Sequence, residues 1–189
     1  MTDLTEFFET AVEPTPLVLR PEILLSPNLP KPLHGLNPRT IMGASWWNEV
    51  RHEAYDSTDQ HCIACGIPRN AEGMLFAGWL EAHEIYEIDY SNKRAVFKEI
   101  VPLCKACHVG IHTGRLTALY GNIYDEEDCW LVFERKKQVC GTYGVVDDRK
   151  YAITWSQWRL EFNGKEYKPV HETMDDWREF YGRKNTNTR

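Results

Sequence analysis

The chain has 189 residues, 42% of them hydrophobic, and a formal net charge of −6 at pH 7. That length suits one compact domain with an appendage, or two small domains. No stretch approaches the roughly 18 consecutive apolar residues of a membrane span. Residues 1–43, 44–121 and 122–189 each carry more acidic than basic side chains, which argues against gripping nucleic acid by phosphate neutralisation alone.

Residues 1–43 read as a proline-rich N-terminal arm. Leu4 to Ala11 suits a short helix, and Pro14, Pro16, Pro21, Pro27, Pro30, Pro32 and Pro38 follow within one stretch. Proline lacks an amide donor and restricts the residue before it, so an extended segment is expected, packed on something or mobile. The acidic Met1 to Thr10 stretch lacks the basic start of a secretory leader, so a reducing, cytoplasmic setting is expected.

Ser45 to Ser57 has helical periodicity, with Ser45 as N-cap and Trp46, Val50 and Ala54 on one face. Cys62 to Gly66 forms a knuckle turn. Met74 to His83 and Ala95 to Leu103 read as strands joined through a turn at Asp89 to Lys93. Lys105 to Tyr120 reads as a helix ending near Gly121. Residues 122–189 suit a small α+β extension. Trp130 to Phe133 is a short apolar run, and Trp155, Trp158, Leu160 and Phe162 supply one or two strands. Asn163-Gly164 is a hairpin signal, because both turn positions need positive φ. Asp175 to Tyr181 suits a short helix with Trp177, Phe180 and Tyr181 on its apolar side, followed by a frayed tail.

Two cysteine pairs carry chemistry. Cys62-Ile-Ala-Cys65 and Cys104-Lys-Ala-Cys107 have the spacing that turns two thiolates toward one tetrahedral ion, and together they make an all-cysteine structural zinc site. Free thiols or a redox pair are the alternatives. Cys129 and Cys140 fall outside the pattern and are expected as buried free thiols.

His83, His108 and His112 form a second constellation. His108 and His112 share one helix face at i, i+4, and His108 follows directly on Cys107. A hairpin held by zinc would bring His83 opposite them. Three imidazoles with open positions around one ion are a catalytic arrangement; ordinary surface histidines are the alternative. His34, His52, His61 and His171 are read as ordinary surface or core residues.

The combined pattern, Cys62-x2-Cys65, Leu80-Glu81-Ala82-His83-Glu84-Ile85 and Leu103-Cys104-x2-Cys107-His108-x3-His112, resembles the HNH endonuclease family, in particular its zinc-ribbon members. The resemblance covers residues 44–121. It implies an α+β fold with a ββα-metal (His-Me finger) module braced by the four-cysteine zinc. It also implies a metal-dependent nuclease acting on DNA, of a kind found in phage, bacteria and mobile elements. His83, His108 and His112 match the ligands of the catalytic divalent ion. In the family a histidine activates water, an asparagine orients it, and the ion polarises the phosphate and stabilises the leaving oxygen.

Two positions depart from the family. Glu84 stands where the general-base histidine is usual, and the asparagine expected shortly before the last cysteine pair, near Glu99, is absent. Glu84 has three readings. It is the base, it is an oxygen ligand favouring Mg2+ or Mn2+, or it is a salt-bridged bystander. A regular strand would turn His83 and Glu84 to opposite sides.

Arg115, Lys98 and Arg94 are the expected phosphate contacts, with Lys93 beside them. Arg135-Lys136-Lys137 is read as a solvated strand end or loop, or a further phosphate contact. Trp46, Trp47 and Trp79 are expected in the core, with base stacking as the alternative; Trp130, Trp155, Trp158 and Trp177 build the C-terminal core. The leading function is thus a DNA endonuclease. The alternatives are a catalytically impaired scaffold binding DNA or protein, with the C-terminal extension reaching a protein partner, or a decoy presenting acids to a DNA-binding partner.

Overall fold

A computed structural model of the chain describes residues 17–71, 80–112, 126–142 and 155–186. Within them the fold is mixed α+β: a four-stranded sheet in the order β1-β2-β3-β4, with five helices. The strands are β1 (Leu80–Asp89), β2 (Arg94–Cys104), β3 (Arg159–Phe162) and β4 (Lys165–Tyr167). The helices are α1 (Pro38–Met42), α2 (Ala44–Asp56), α3 (Lys105–Ile111), α4 (Glu126–Cys140) and α5 (Met174–Thr186). Leu4 to Ala11, Trp79, Arg115 and Gly121 lie outside the described residues.

The β1–β2 hairpin is the centre of the molecule. It pairs antiparallel from Leu80↔Cys104 to Asp89↔Arg94, with one irregularity after Ile85 where the backbone register skips Lys98. The sequence places His83 at the end of a strand beginning at Met74. It instead lies fourth in β1, which runs on to Asp89, and Met74 to Trp79 lie outside the described residues.

The C-terminal strands do not make a separate sheet. β3 joins β2 in parallel, pairing Ala95 with Leu160, and β4 folds back antiparallel on β3. The turn between them is Asn163-Gly164, with φ of 50° and 69°, as the hairpin signal requires.

Two cores flank the hairpin. One gathers Ile23, Leu24, Tyr55, Val101, Leu103 and Ile111 around the buried cysteines. The other gathers Leu33, Tyr86, Ala95, Trp158 and Leu160. Trp46 stacks edge-on against Phe162, whose ring in turn meets Phe97, so Trp46 is a packing residue here. Trp155 and Trp158 are buried as well.

Several local expectations change. Helix α2 begins one residue before Ser45, after Gly43 at φ 88°. Gly43 also closes α1, which Asn37 and Thr40 cap reciprocally. Trp130 to Phe133 belongs to the fifteen-residue α4 rather than an isolated apolar run. The basic triplet is likewise on α4, not on a strand end or loop. Lys136 is 3% exposed there and donates to the Gly110 carbonyl at 3.3 Å. Helix α5 continues past Gly182 to Thr186, where a frayed tail was expected.

The described part of the arm, from residue 17, is packed. The Arg20 backbone N–H donates to the Ile63 carbonyl at 2.8 Å, and its guanidinium holds both Glu99 oxygens at 2.8 and 3.0 Å. Farther along, Trp177 Nε1 donates to His34 Nδ1 at 3.1 Å, and the Lys31 ammonium lies over the Trp177 ring. Ile23 and Leu24 are almost fully buried. In place of the extended run expected, the arm turns through two 3-10 helices, Pro21–Leu25 and Lys31–Leu33, and gains further order by burying such side chains.

Candidate metal centres

The two cysteine pairs converge. Cys62 and Cys65 sit on a turn closed by Gly66 N–H to the Cys62 carbonyl at 2.8 Å, and Gly66 adopts a φ of 74° that other residues rarely take. Cys104 ends β2 and caps α3, and Cys107 lies in the first turn of that helix. The Ile63 N–H to the Pro102 carbonyl, at 3.0 Å, locks the turn against β2.

The four sulfurs lie within 4.8 Å of one another. Cys65 and Cys104 Sγ are 3.8 Å apart, matching the edge of about 3.8 Å in a tetrahedron with metal–sulfur bonds near 2.3 Å. None of the four forms a disulfide. Hydrogen bonds from Cys104 and Cys107 lower the Cys62 thiol to about 7 and hold Cys65 far below the ordinary thiol range. Cys107 is pushed up by the same crowding. So many competing thiols in one buried spot suit a shared cation. Arg135, on α4, stands beside them. Desolvated though it is, its guanidinium is held above its ordinary range by a hydrogen bond to Cys65 and by the charges of Cys107 and Cys104. Cys140 is a free, half-buried thiol outside the group, and the Cys129 side chain lies outside the described residues.

His83, His108 and His112 form the second group, with ligand nitrogens all within 4.8 Å of one another. Helix α3 is shorter than its sequence periodicity: it ends at Ile111, and His112 is its C-cap, its backbone N–H still bonded to the His108 carbonyl at 3.2 Å. That last bond preserves the i, i+4 relation. His83 comes from β1, opposite Val101. His83 Nδ1 and His112 Nε2 are 3.2 Å apart, close to the edge of about 3.0–3.4 Å that metal–nitrogen bonds of about 2.1 Å imply.

Each helical histidine is held from behind. His108 Nδ1 meets the Glu81 carboxylate, and His112 Nδ1 donates to Asn28 Oδ1 at 2.7 Å. In both, the proton on Nδ1 leaves Nε2 as the lone-pair donor, as in metal-bound histidines whose other nitrogen is held by an acceptor. His83 is kept neutral: burial, and then the nearby His108 and His112, lower its pKa well below the ordinary value. Three imidazole nitrogens so gathered fit a divalent ion.

The remaining expected site residues are placed differently. Glu84 pairs with Ile100 while His83 pairs with Val101. The register is regular there, so Glu84 leaves β1 on the other face and does not join the three-histidine group. It is pushed above the ordinary carboxylate range by burial, against the pull of His108 and Arg39. Arg94 is at the far end of the hairpin, six positions beyond the His83 pair or about 20 Å along the strands, and is ion-paired with Glu161. Lys98 pairs with Glu87.

Two residues were missed by the sequence reading. Glu81 had a usable signal: it precedes His83 by two, hence shares its strand face. Asn28 had none, being 84 residues from His112. Among the described residues no helix is long and apolar enough to cross a membrane. No family model, curated protein or solved structure matches the chain.

Proposed function

We propose that the chain is a metal-dependent endonuclease of HNH type that hydrolyses phosphodiester bonds in DNA, with a structural zinc at the four cysteines. The observation that carries the reading is the three-histidine group itself. A β-hairpin and the helix that follows it bring His83, His108 and His112 together, with two of the imidazoles turned by Glu81 and Asn28 into the ligand tautomer. The resemblance of the motif to the HNH family supplies the reaction class.

A divalent ion at this site supplies Lewis-acid polarisation of the phosphate and stabilises the leaving oxygen. The chain's own part is to hold and orient the three imidazoles. His83 and His108 are buried, and His112 is the most accessible of the three. Among the described residues no carboxylate joins the group, and an all-nitrogen donor set suits nickel or zinc better than magnesium or manganese. The preference for Mg2+ or Mn2+ depends on Glu84 as an oxygen ligand. Burial makes Glu84 a stronger proton acceptor than an exposed carboxylate, but it stands on the face of β1 away from the histidines. Reaching the attacking water requires a local shift of β1.

That required shift favours a second reading: a nuclease-derived scaffold that binds DNA or a protein partner without cutting. The net charge of −6 points the same way. Supercoiled-plasmid nicking with magnesium, manganese or nickel separates the two. Nicking by the wild type that is lost in His108→Ala supports the nuclease, and the rate of Glu84→Gln measures the glutamate's share. Folded, zinc-loaded wild type that leaves plasmid, linear duplex and single strands intact under every metal sinks the nuclease in favour of the scaffold.

A further inference from the structure

One side chain at the three-histidine group comes from neither the hairpin nor the helix. Asn28, in the proline-rich arm, accepts from His112 Nδ1 through Oδ1 at 2.7 Å and donates through Nδ2 to the Ile111 carbonyl at 3.4 Å. The two contacts fix the amide. Its nitrogen is committed to a carbonyl, so its oxygen must face the imidazole, and Nδ1 of His112 must carry the proton. Ile111 ends α3, where a carbonyl has no partner within the helix, so Asn28 reads both the end of the helix and the ligand that follows it.

We propose that Asn28 is a positioning residue for His112, and that docking of the N-terminal arm is thereby coupled to metal loading at the three-histidine site. This rests on reading the three histidines as a metal site. The arm is held on both sides of Asn28. Before it, Arg20 is bonded to Ile63 and Glu99, and Ile23 and Leu24 share a core with Ile111. After it, Pro30 and Leu33 are buried. Pro27 precedes Asn28 and Pro30 follows two residues later, so the backbone has little freedom left to lose when the amide engages. An arm seated this way presents a fixed acceptor to His112. Linkage makes the effect reciprocal: an ion at the histidines favours the seated arm.

The test titrates Co2+ into full-length chain carrying zinc at the cysteines, reading binding by calorimetry and visible absorption. Wild type, Asn28→Ala and Asn28→Asp are compared, and separate samples prepared with cobalt in place of zinc at the cysteines report an intact fold through their thiolate charge-transfer band. Wild type should take up one further ion. Asn28→Ala should keep the thiolate band and lose about 10- to 100-fold in affinity for that ion. Asn28→Asp, which restores an acceptor, should recover most of the loss. Equal affinity in wild type and Asn28→Ala overturns the coupling and leaves the metal site standing. Asn28→Asp no better than Asn28→Ala overturns the acceptor role. Wild type that takes up no further ion overturns the metal site and the coupling together.

Discussion

The Glu81 carboxylate and His108 Nδ1 are hydrogen-bonded across the gap between β1 and α3. The bond ties the strand that carries His83 to the helix that carries the other two histidines, and it selects the tautomer that leaves His108 Nε2 free. Glu81→Ala should therefore weaken divalent-ion binding at the histidines by about 10- to 100-fold. Glu81→Gln, still an acceptor but uncharged, should fall between. Calorimetric titration of Mn2+ or Co2+ reads the difference, and wild-type affinity in Glu81→Ala would rule the role out.

The four cysteines lie in or against one core with Ile23, Tyr55, Leu103 and Ile111, so an ion held by them would stand at the centre of that core. Structural zinc contributes on the order of 10 kcal/mol to small modules. Cys107→Ser should accordingly abolish cooperative thermal unfolding by circular dichroism and drop bound zinc. Cys140→Ser, outside the group, should keep both. Native-like melting of Cys107→Ser would show that the cysteines do not organise the fold.

Gly164 has a φ of 69° with open space where a Cβ would stand. The cost of Gly164→Ala is therefore conformational rather than steric, and should be about 1 kcal/mol. A denaturant titration with unchanged slope and a lowered midpoint is expected. An unchanged midpoint would mean that the β3–β4 turn contributes nothing to global stability.

Lys136 is buried on α4 and burial pushes its ammonium below the ordinary value of 10.5. Between its folded value and 10.5 the unfolded chain holds the extra proton, so stability rises with pH across that window. Lys136→Met lacks the group. Its stability relative to wild type should be most favourable at neutral pH and decline as pH approaches 10.5. Urea titrations of both proteins over that range check the sign, and parallel profiles would show that Lys136 is not desolvated.

Much of the site was legible in the sequence because its signals are local. Cysteines with two residues between them turn both thiols to one side through their own turn geometry, and His108 and His112 at i, i+4 share a helix face whatever the helix packs on. Asn163-Gly164 announced its hairpin through the positive φ that both positions need. Strand alternation even announced that Glu84 would turn away from His83, as the regular pairing with Ile100 shows. What the sequence by itself determined was thus which cysteines and histidines gather into groups and how near neighbours are spaced. Only the tertiary structure decided what stands behind them. β3 pairs with β2 across more than fifty intervening residues, Arg94 is committed to Glu161 at the far end of the hairpin, and Asn28 reaches His112 from the arm. Such contacts are set by which apolar surfaces bury against each other, and no local periodicity or motif spacing encodes that.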